Sequence, residues 1–183
     1  LLRVGTIQQS LATRALDAGA RGIVFPQVQS ADEATVAARA CRYPPDGTRG
    51  AAGSRNMGWG VTMTLADYIP EANRGVVCVI QVESQDGVDA VDAIASVPGV
   101  DCLFVGLSDL SVALGYPAEY AHPDLEAALD RVLAAGRAHG VPVGIPIADV
   151  ARAADYRRRG VSLFTTSDRG MVANAMTSFR TSF

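Results

Sequence analysis

Residues 76–84 read Val76-Val77-Cys78-Val79-Ile80-Gln81-Val82-Glu83-Ser84. Five apolar residues, mostly β-branched, run unbroken and lead to Gln81 and Glu83. Such a run is the pattern of a strand buried on both faces, as in a parallel sheet covered by helices. Glu83 stands where the strand leaves the core, and α/β folds carry their chemistry at the C-terminal ends of such strands. The pattern recurs in Asp101-Cys102-Leu103-Phe104-Val105-Gly106-Leu107-Ser108-Asp109. Again an apolar strand is expected to run out to an acid, Asp109.

Working outward, strands are expected at residues 1–6, 21–26, 141–146 and 161–166. Helices are expected between them. Ser10 should cap a helix to about Ala18, ended by Gly19, and Ser30 with Glu33 forms a capping box opening a helix to Cys41. Further helices are read at 65–72, at 86–96 and, as a short turn, at 109–115. The last three are 123–139, closed by Gly140, then 148–159, closed by Gly160, and 169–179, with Asp168 as its cap. The segment 43–60 is a long loop, and loops of that length are usually functional or mobile.

Strict alternation of strand and helix predicts a parallel sheet. No GxGxxG follows the first strand and no GxxxxGK[ST] occurs, so a nucleotide-binding doubly wound sheet lacks its motifs. A (β/α)8 TIM barrel takes ~250 residues, and six β/α units in 183 residues fall short of one. The expectation is a single (β/α) barrel domain over 1–183, with its first two strands absent. The opening Leu1-Leu2-Arg3-Val4 has no methionine and starts inside a strand.

With 49% apolar and 19% charged residues, the chain is a folded protein rather than a disordered one. A net charge of −3 and a pI near 5.3 argue against a nucleic-acid partner. Arg157-Arg158-Arg159, the longest basic run, falls at a helix end, where cations complement the dipole. No stretch approaches the ~20 apolar residues of a membrane span. Cys41, Cys78 and Cys102 form no CxxC or Cys/His zinc pattern, and a reducing, cytoplasmic setting is expected.

Glu83 and Asp109 offer two hard oxygen ligands, suited to Mg²⁺ or Mn²⁺ rather than zinc. Gly106 lets backbone approach a ligand closely. The amides of 107–110 open a helical turn suited to a carboxylate. Arg3, at another strand exit, is a fixed positive charge for a developing oxyanion. Such a site would chelate a 2-oxo acid and acidify its adjacent C–H. The alternative reading makes both acids helix N-caps without a metal.

Gln81-Val82-Glu83, the turn Gly106-Leu107-Ser108-Asp109-Leu110-Ser111, the segment Tyr43-Pro44-Pro45-Asp46-Gly47-Thr48-Arg49-Gly50 and the stretch Val24-Phe25-Pro26-Gln27-Val28-Gln29-Ser30-Ala31-Asp32-Glu33-Ala34 together resemble the HpcH/HpaI-type class II 2-oxo acid aldolases. This is the 4-hydroxy-2-oxoheptanedioate aldolase family of the pyruvate/phosphoenolpyruvate barrel superfamily. The resemblance implies a metal (Mg²⁺, Mn²⁺ or Co²⁺) on Glu83 and Asp109, with the 2-oxo acid on Gln81 and on amides around Ser108 and Asp109. Arg3 would stabilise the enolate oxygen. The implied reaction is reversible cleavage of a 4-hydroxy-2-oxo acid to pyruvate and an aldehyde. The implied assembly is a homo-oligomer, a hexamer or trimer of dimers with swapped C-terminal helices.

Two features depart from the family. Leu107 stands where Gly-Pro-x-Asp has its proline. The family's catalytic His lies after the second strand, in a part this chain does not contain, and His122 and His139 at helix ends do not replace it. If these residues were the whole protein, an incomplete barrel with little turnover is expected. Gly106, Leu107, Ser108 and Gln81 are thus the substrate-binding candidates, with Arg49 as substrate ligand or loop anchor. Ser54, Arg55 and Trp59 are either acceptor-pocket residues or a surface loop. Competing readings are a Claisen-type acyl transferase or lyase on the same barrel, citrate synthase-like or citryl/malyl-CoA lyase-like, and a non-catalytic homologue.

Overall fold

The computed structural model describes residues 1–53, 55–147 and 150–182. Six strands form one sheet: β1 (Leu2–Arg3), β2 (Gly22–Phe25), β3 (Val77–Val82), β4 (Cys102–Val105), β5 (Val143–Pro146) and β6 (Val161–Thr165). Their spatial order follows the chain, and each neighbouring pair is parallel. A doubly wound sheet reverses its strand order partway along, whereas this one curls in a single direction as six strands of a half-barrel. The expectation of an α/β parallel sheet holds for these six strands.

The connecting helices are α1 (Gln9–Asp17), α2 (Ala31–Cys41), α3 (Leu65–Gly75), α4 (Gln85–Asp89), α5 (Val91–Ala95), α6 (Leu107–Ala113), α7 (Pro123–His139), α8 (Ala153–Arg159) and α9 (Asp168–Arg180). Ser30 Oγ accepts from the Glu33 amide and Glu33 Oε2 from the Gln29 amide, so the capping box forms, displaced by one residue on its return bond. Gly140 and Gly160 close α7 and α8 in the left-handed region, which favours a residue without Cβ.

Several expectations are corrected. The first strand is Leu2–Arg3 rather than 1–6. Gln8, not Ser10, is the N-cap of α1, and no side chain caps it. The helix read at 86–96 is two, split at Ala90 (ψ 1°). Ser167, not Asp168, caps α9, accepting from the Gly170 amide at 3.0 Å. The fourth strand ends at Val105, so Asp109 lies in the first turn of α6 rather than at a strand end. The helix start read at Ala148 falls outside the described residues.

The core lies between sheet and helices. Phe25, Ile80, Leu103 and Ile145 are fully buried from the strands, and Leu16, Ile94, Leu129 and Leu133 from the helices. Each such side chain contributes about 1.5–3 kcal/mol. Alanines of α2 (Ala34, Ala37, Ala38, Ala40) let that helix lie close to the sheet. β1 is exposed throughout and β6 largely so, as outer strands are. Arg159 pairs with Glu126 (2.5 Å) and Asp130 (2.9 Å), which gives the basic run a structural role.

One polar knot ties loop to sheet. Arg42 donates to the Gly99 carbonyl and the Asp101 carboxylate, both at 2.8 Å, and Asp101 also accepts from the Cys78 amide at 2.7 Å. Asp101→Ala removes the shared acceptor and strands a strand amide. The expected cost is about 1–3 kcal/mol, measured as a lower urea midpoint with unchanged slope.

Candidate metal and 2-oxo acid site

Parallel strands bring Arg3, Gln81, Glu83 and the α6 turn to one end of the sheet. Gln81 and Glu83 are two residues apart on β3 and its exit, so they project to the same side. Both are buried, at 8% and 5% exposure. Gln81 Nε2 donates to Glu83 Oε2, and the Gln27 amide donates to Glu83 Oε1 at 2.9 Å. Gln27 holds φ 54°, a region uncommon for a residue with a Cβ, and in this conformation its N–H reaches the carboxylate. Each Glu83 oxygen thus has one fixed donor and lone pairs to spare.

Gly106 closes over this pair. A Cβ there would stand 2.6 Å from Glu83 Oε2 and 2.9 Å from Gln81 Nε2, so only glycine fits. Gly106 also docks its amide on the Val82 carbonyl at 3.0 Å, which starts α6 beside the acid. From the first turn of α6 the Asp109 carboxyl comes within hydrogen-bonding reach of Glu83. Burial pushes the Glu83 carboxyl above its ordinary range. The Gln27 amide opposes that, Asp109 adds to it, and Arg3 pulls it back.

The N-cap alternative for the two acids fails. Ser84 caps α4, accepting from the Gly87 amide at 3.1 Å, and Gly106 is the N-cap of α6. Two facing carboxylates, one of them buried, are a site short of positive charge. As hard oxygen donors they fit a divalent cation of the Mg²⁺ type. Among the described residues no three His, Cys, Asp or Glu side chains gather, so the described chain offers two side-chain ligands.

The other candidates divide. Arg3 is exposed at the end of β1, near enough to Glu83 to act on its charge. Leu107 buries its side chain in the core, leaving only its backbone amide for a ligand. Ser108 is exposed, its Oγ 3.1 Å from the Tyr120 hydroxyl. Arg49 does not join the group. It is 97% buried by the complement of its 3% exposure, paired with Asp17 at 2.6 Å and stacked 4.4 Å over Tyr43. Asp17 ends α1, so this pair lies towards the opposite end of the sheet, and Arg49 anchors the loop.

The 53–64 loop follows Arg49. Asn56 donates to the Leu16 carbonyl at 3.2 Å. With Met63, Arg21 and Arg49 it lines a cavity of about 190 Å³ below the starts of β2 and β3. Trp59 is 70% exposed, Arg55 is also exposed, and Ser54 lies outside the described residues. Within one chain this loop is not at the acid pair. Neither histidine is there: His122 Nδ1 accepts from the Asp124 amide at 3.3 Å, and His139 meets Asp92 at 3.0 Å.

Sequence reasoning missed Gln27, because it contributes a backbone amide that any residue could supply. It also missed Tyr120, whose approach to Ser108 depends on how the segment 115–122 returns along α6.

Comparison with known proteins identifies the family. Residues 1–174 match the family model described as HpcH/HpaI aldolase/citrate lyase. A hydroxypyruvate/pyruvate aldolase of Paraburkholderia phytofirmans is 42% identical over 165 residues, 87% of this chain and 62% of that protein. A 5-keto-4-deoxy-D-glucarate aldolase of Shigella boydii is 39% identical over 96% of this chain and 68% of its own length. A crystal structure of an HpcH/HpaI aldolase/citrate lyase family protein from Burkholderia cenocepacia superposes with a TM-score of 0.92 at 43% identity, covering 99% of this chain and 72% of that one. The chain therefore spans roughly two thirds of the length of these relatives. Over that span, this chain belongs to the HpcH/HpaI aldolase/citrate lyase family.

Proposed function

We propose that the chain carries the metal and 2-oxo acid site of a class II aldolase, which reversibly cleaves a 4-hydroxy-2-oxo acid to pyruvate, or a related 2-oxo acid, and an aldehyde. The observation that carries this reading is the pair of carboxylates, Glu83 at the exit of β3 and Asp109 in the first turn of α6, close enough to act on one another, with Arg3 near Glu83. Relatives acting as aldolases support it. A Mg²⁺, Mn²⁺ or Co²⁺ ion held by the two acids would supply Lewis acidity towards the keto and carboxylate oxygens. The chain's own groups do the rest. Gln27 and Gln81 hold Glu83 in place, and Gln81 borders the keto acid. Arg3 faces the oxygen on which charge grows as a proton leaves the adjacent carbon. The amides of Leu107, Ser108 and Asp109 carry the carboxylate. Closure into a complete (β/α)8 barrel belongs to the same reading, supported by the one-way curl of the sheet. Three buried free thiols suit a reducing cytoplasm.

The same reading extends to a homo-oligomer. α9 buries none of its side chains, and Met171, Val172, Met176 and Phe179 are 58–69% exposed. A contiguous apolar helix face of this kind marks an interface. Light scattering should give a mass several times 19.1 kDa, and replacing Met171 and Met176 together by Lys should lower it. A monomer in the unchanged protein would remove this part of the reading.

The test of the chemistry is exchange of the pyruvate methyl protons for deuterium. Mn²⁺ should support it and chelator abolish it, and Glu83→Gln or Asp109→Asn should slow it by about 100-fold or more. Exchange that survives both substitutions sinks the assignment. Pyruvate release from a 4-hydroxy-2-oxo acid, set against free thiol release from an acyl-CoA, separates aldolase from Claisen chemistry.

A linked prediction concerns pH. The folded chain holds the Glu83 proton more tightly than the unfolded chain does. Its ionisation therefore costs stability, a cost absent below the ordinary carboxylate range and complete above the raised folded value. As pH rises through and above the ordinary carboxylate range, the metal-free protein should lose urea stability relative to Glu83→Gln, and Mn²⁺ should offset the loss in the parent only. Parallel pH profiles for the two proteins would refute this.

A further inference from the structure

The segment 115–122 returns from the end of α6 along the outside of that helix. It is fastened at two points. Ser111, fully buried, accepts from the Ala118 amide at 3.1 Å through Oγ, and its carbonyl accepts from the Tyr116 amide at 2.8 Å. Nearer the start of α6, the Tyr120 hydroxyl lies 3.1 Å from Ser108 Oγ. Ser111 Oγ donates in turn to the Ser108 carbonyl at 2.7 Å, so both polar ends of Ser108 are held. Ala118 takes φ 65°, a left-handed conformation that is strained for a residue with a Cβ. The segment keeps it while bonded to Ser111 on one side and reaching Ser108 on the other.

We propose that Tyr120 is a positioning residue for the 2-oxo acid site. Its hydroxyl holds Ser108, and with it the first turn of α6, in the orientation that presents the Ser108 and Asp109 amides and the Asp109 carboxylate. This rests on the reading of the Glu83/Asp109 end as that site. α6 is only seven residues long. Its start is tethered on one side by the Gly106 amide to β3, and the Tyr120 contact is a tether on the other. Loss of the hydroxyl frees the Ser108 side chain and loosens the turn. Tyr120 need not touch the substrate for this to weaken binding.

The experiment is calorimetric titration of pyruvate into the Mn²⁺-loaded protein, with the thermal midpoint measured in parallel. Tyr120→Phe should weaken pyruvate binding about three- to tenfold, the worth of one hydrogen bond, with the midpoint nearly unchanged. Ser108→Ala should do the same, and the double variant should be no worse than either single one, because both remove one shared contact. Tyr116→Phe removes a hydroxyl in the same segment that faces Asp124, and should leave binding unchanged. Parent-like affinity in Tyr120→Phe overturns the proposal, as does additivity of the two substitutions or a loss matched by Tyr116→Phe. If the parent itself binds no pyruvate with Mn²⁺, the site reading falls, and this proposal falls with it. That outcome is recognised by the parent titration alone.

Discussion

Glu83 is buried at the exit of β3, no Lys, Arg or His among the described residues forms an ion pair with it, and much of the surrounding structure is arranged to hold it there. A buried carboxylate is costly unless hydrogen-bonded or paired. Here one oxygen takes the Gln27 amide from the end of β2, and the other takes the Gln81 amide from its own strand. Gly106, from the end of β4, comes close enough to exclude any side chain. Three successive strands thus converge on one acid. The parallel register makes this possible, because Phe25 lies beside Ile80 and Val82 beside Val105, so the three strand exits emerge at the same level.

Bringing Asp109 to the same place raises the electrostatic cost further. Two carboxylates in contact favour a shared proton or a shared cation. Such an arrangement costs local stability that a ligand of positive charge would restore, a trade common at functional sites. The opposite end of the sheet is built differently. There the charges are matched, Arg49 against Asp17 and Arg42 against Asp101, and their work is to fix loops and strand starts. Matched pairs at one end and like charges at the other distinguish the two ends of the sheet.

The second fastening of α6 shows how little covalent structure the site relies on. A seven-residue helix carries Asp109, and a short helix is marginal without tertiary contacts. Leu107 and Leu110 bury into the core, Gly106 hangs on β3, and the returning segment holds Ser108 and Ser111. The geometry of the acid pair therefore depends on side chains that carry none of the chemistry.

The apolar run 76–80 pointed to a buried parallel strand from sequence alone, because its strand-like length and β-branched residues suit a strand covered on both faces. Alternation determined an α/β sheet, and glycines at 140 and 160 determined two helix ends, because a left-handed cap disfavours any Cβ. The two acids were legible as a pair because both follow apolar strands. Other features were settled by tertiary contact. Ser10 has the chemistry of a cap, yet Gln8 holds that position. Arg49 reads in the sequence as either substrate ligand or loop anchor, and only the contacts with Asp17 and Tyr43 at the other end of the sheet decide for the anchor. Gln27 acts through a backbone amide and Tyr120 through a returning loop. Such contacts leave no mark in the sequence, because they depend on which distant atoms the fold brings within hydrogen-bonding distance rather than on the residue's own character.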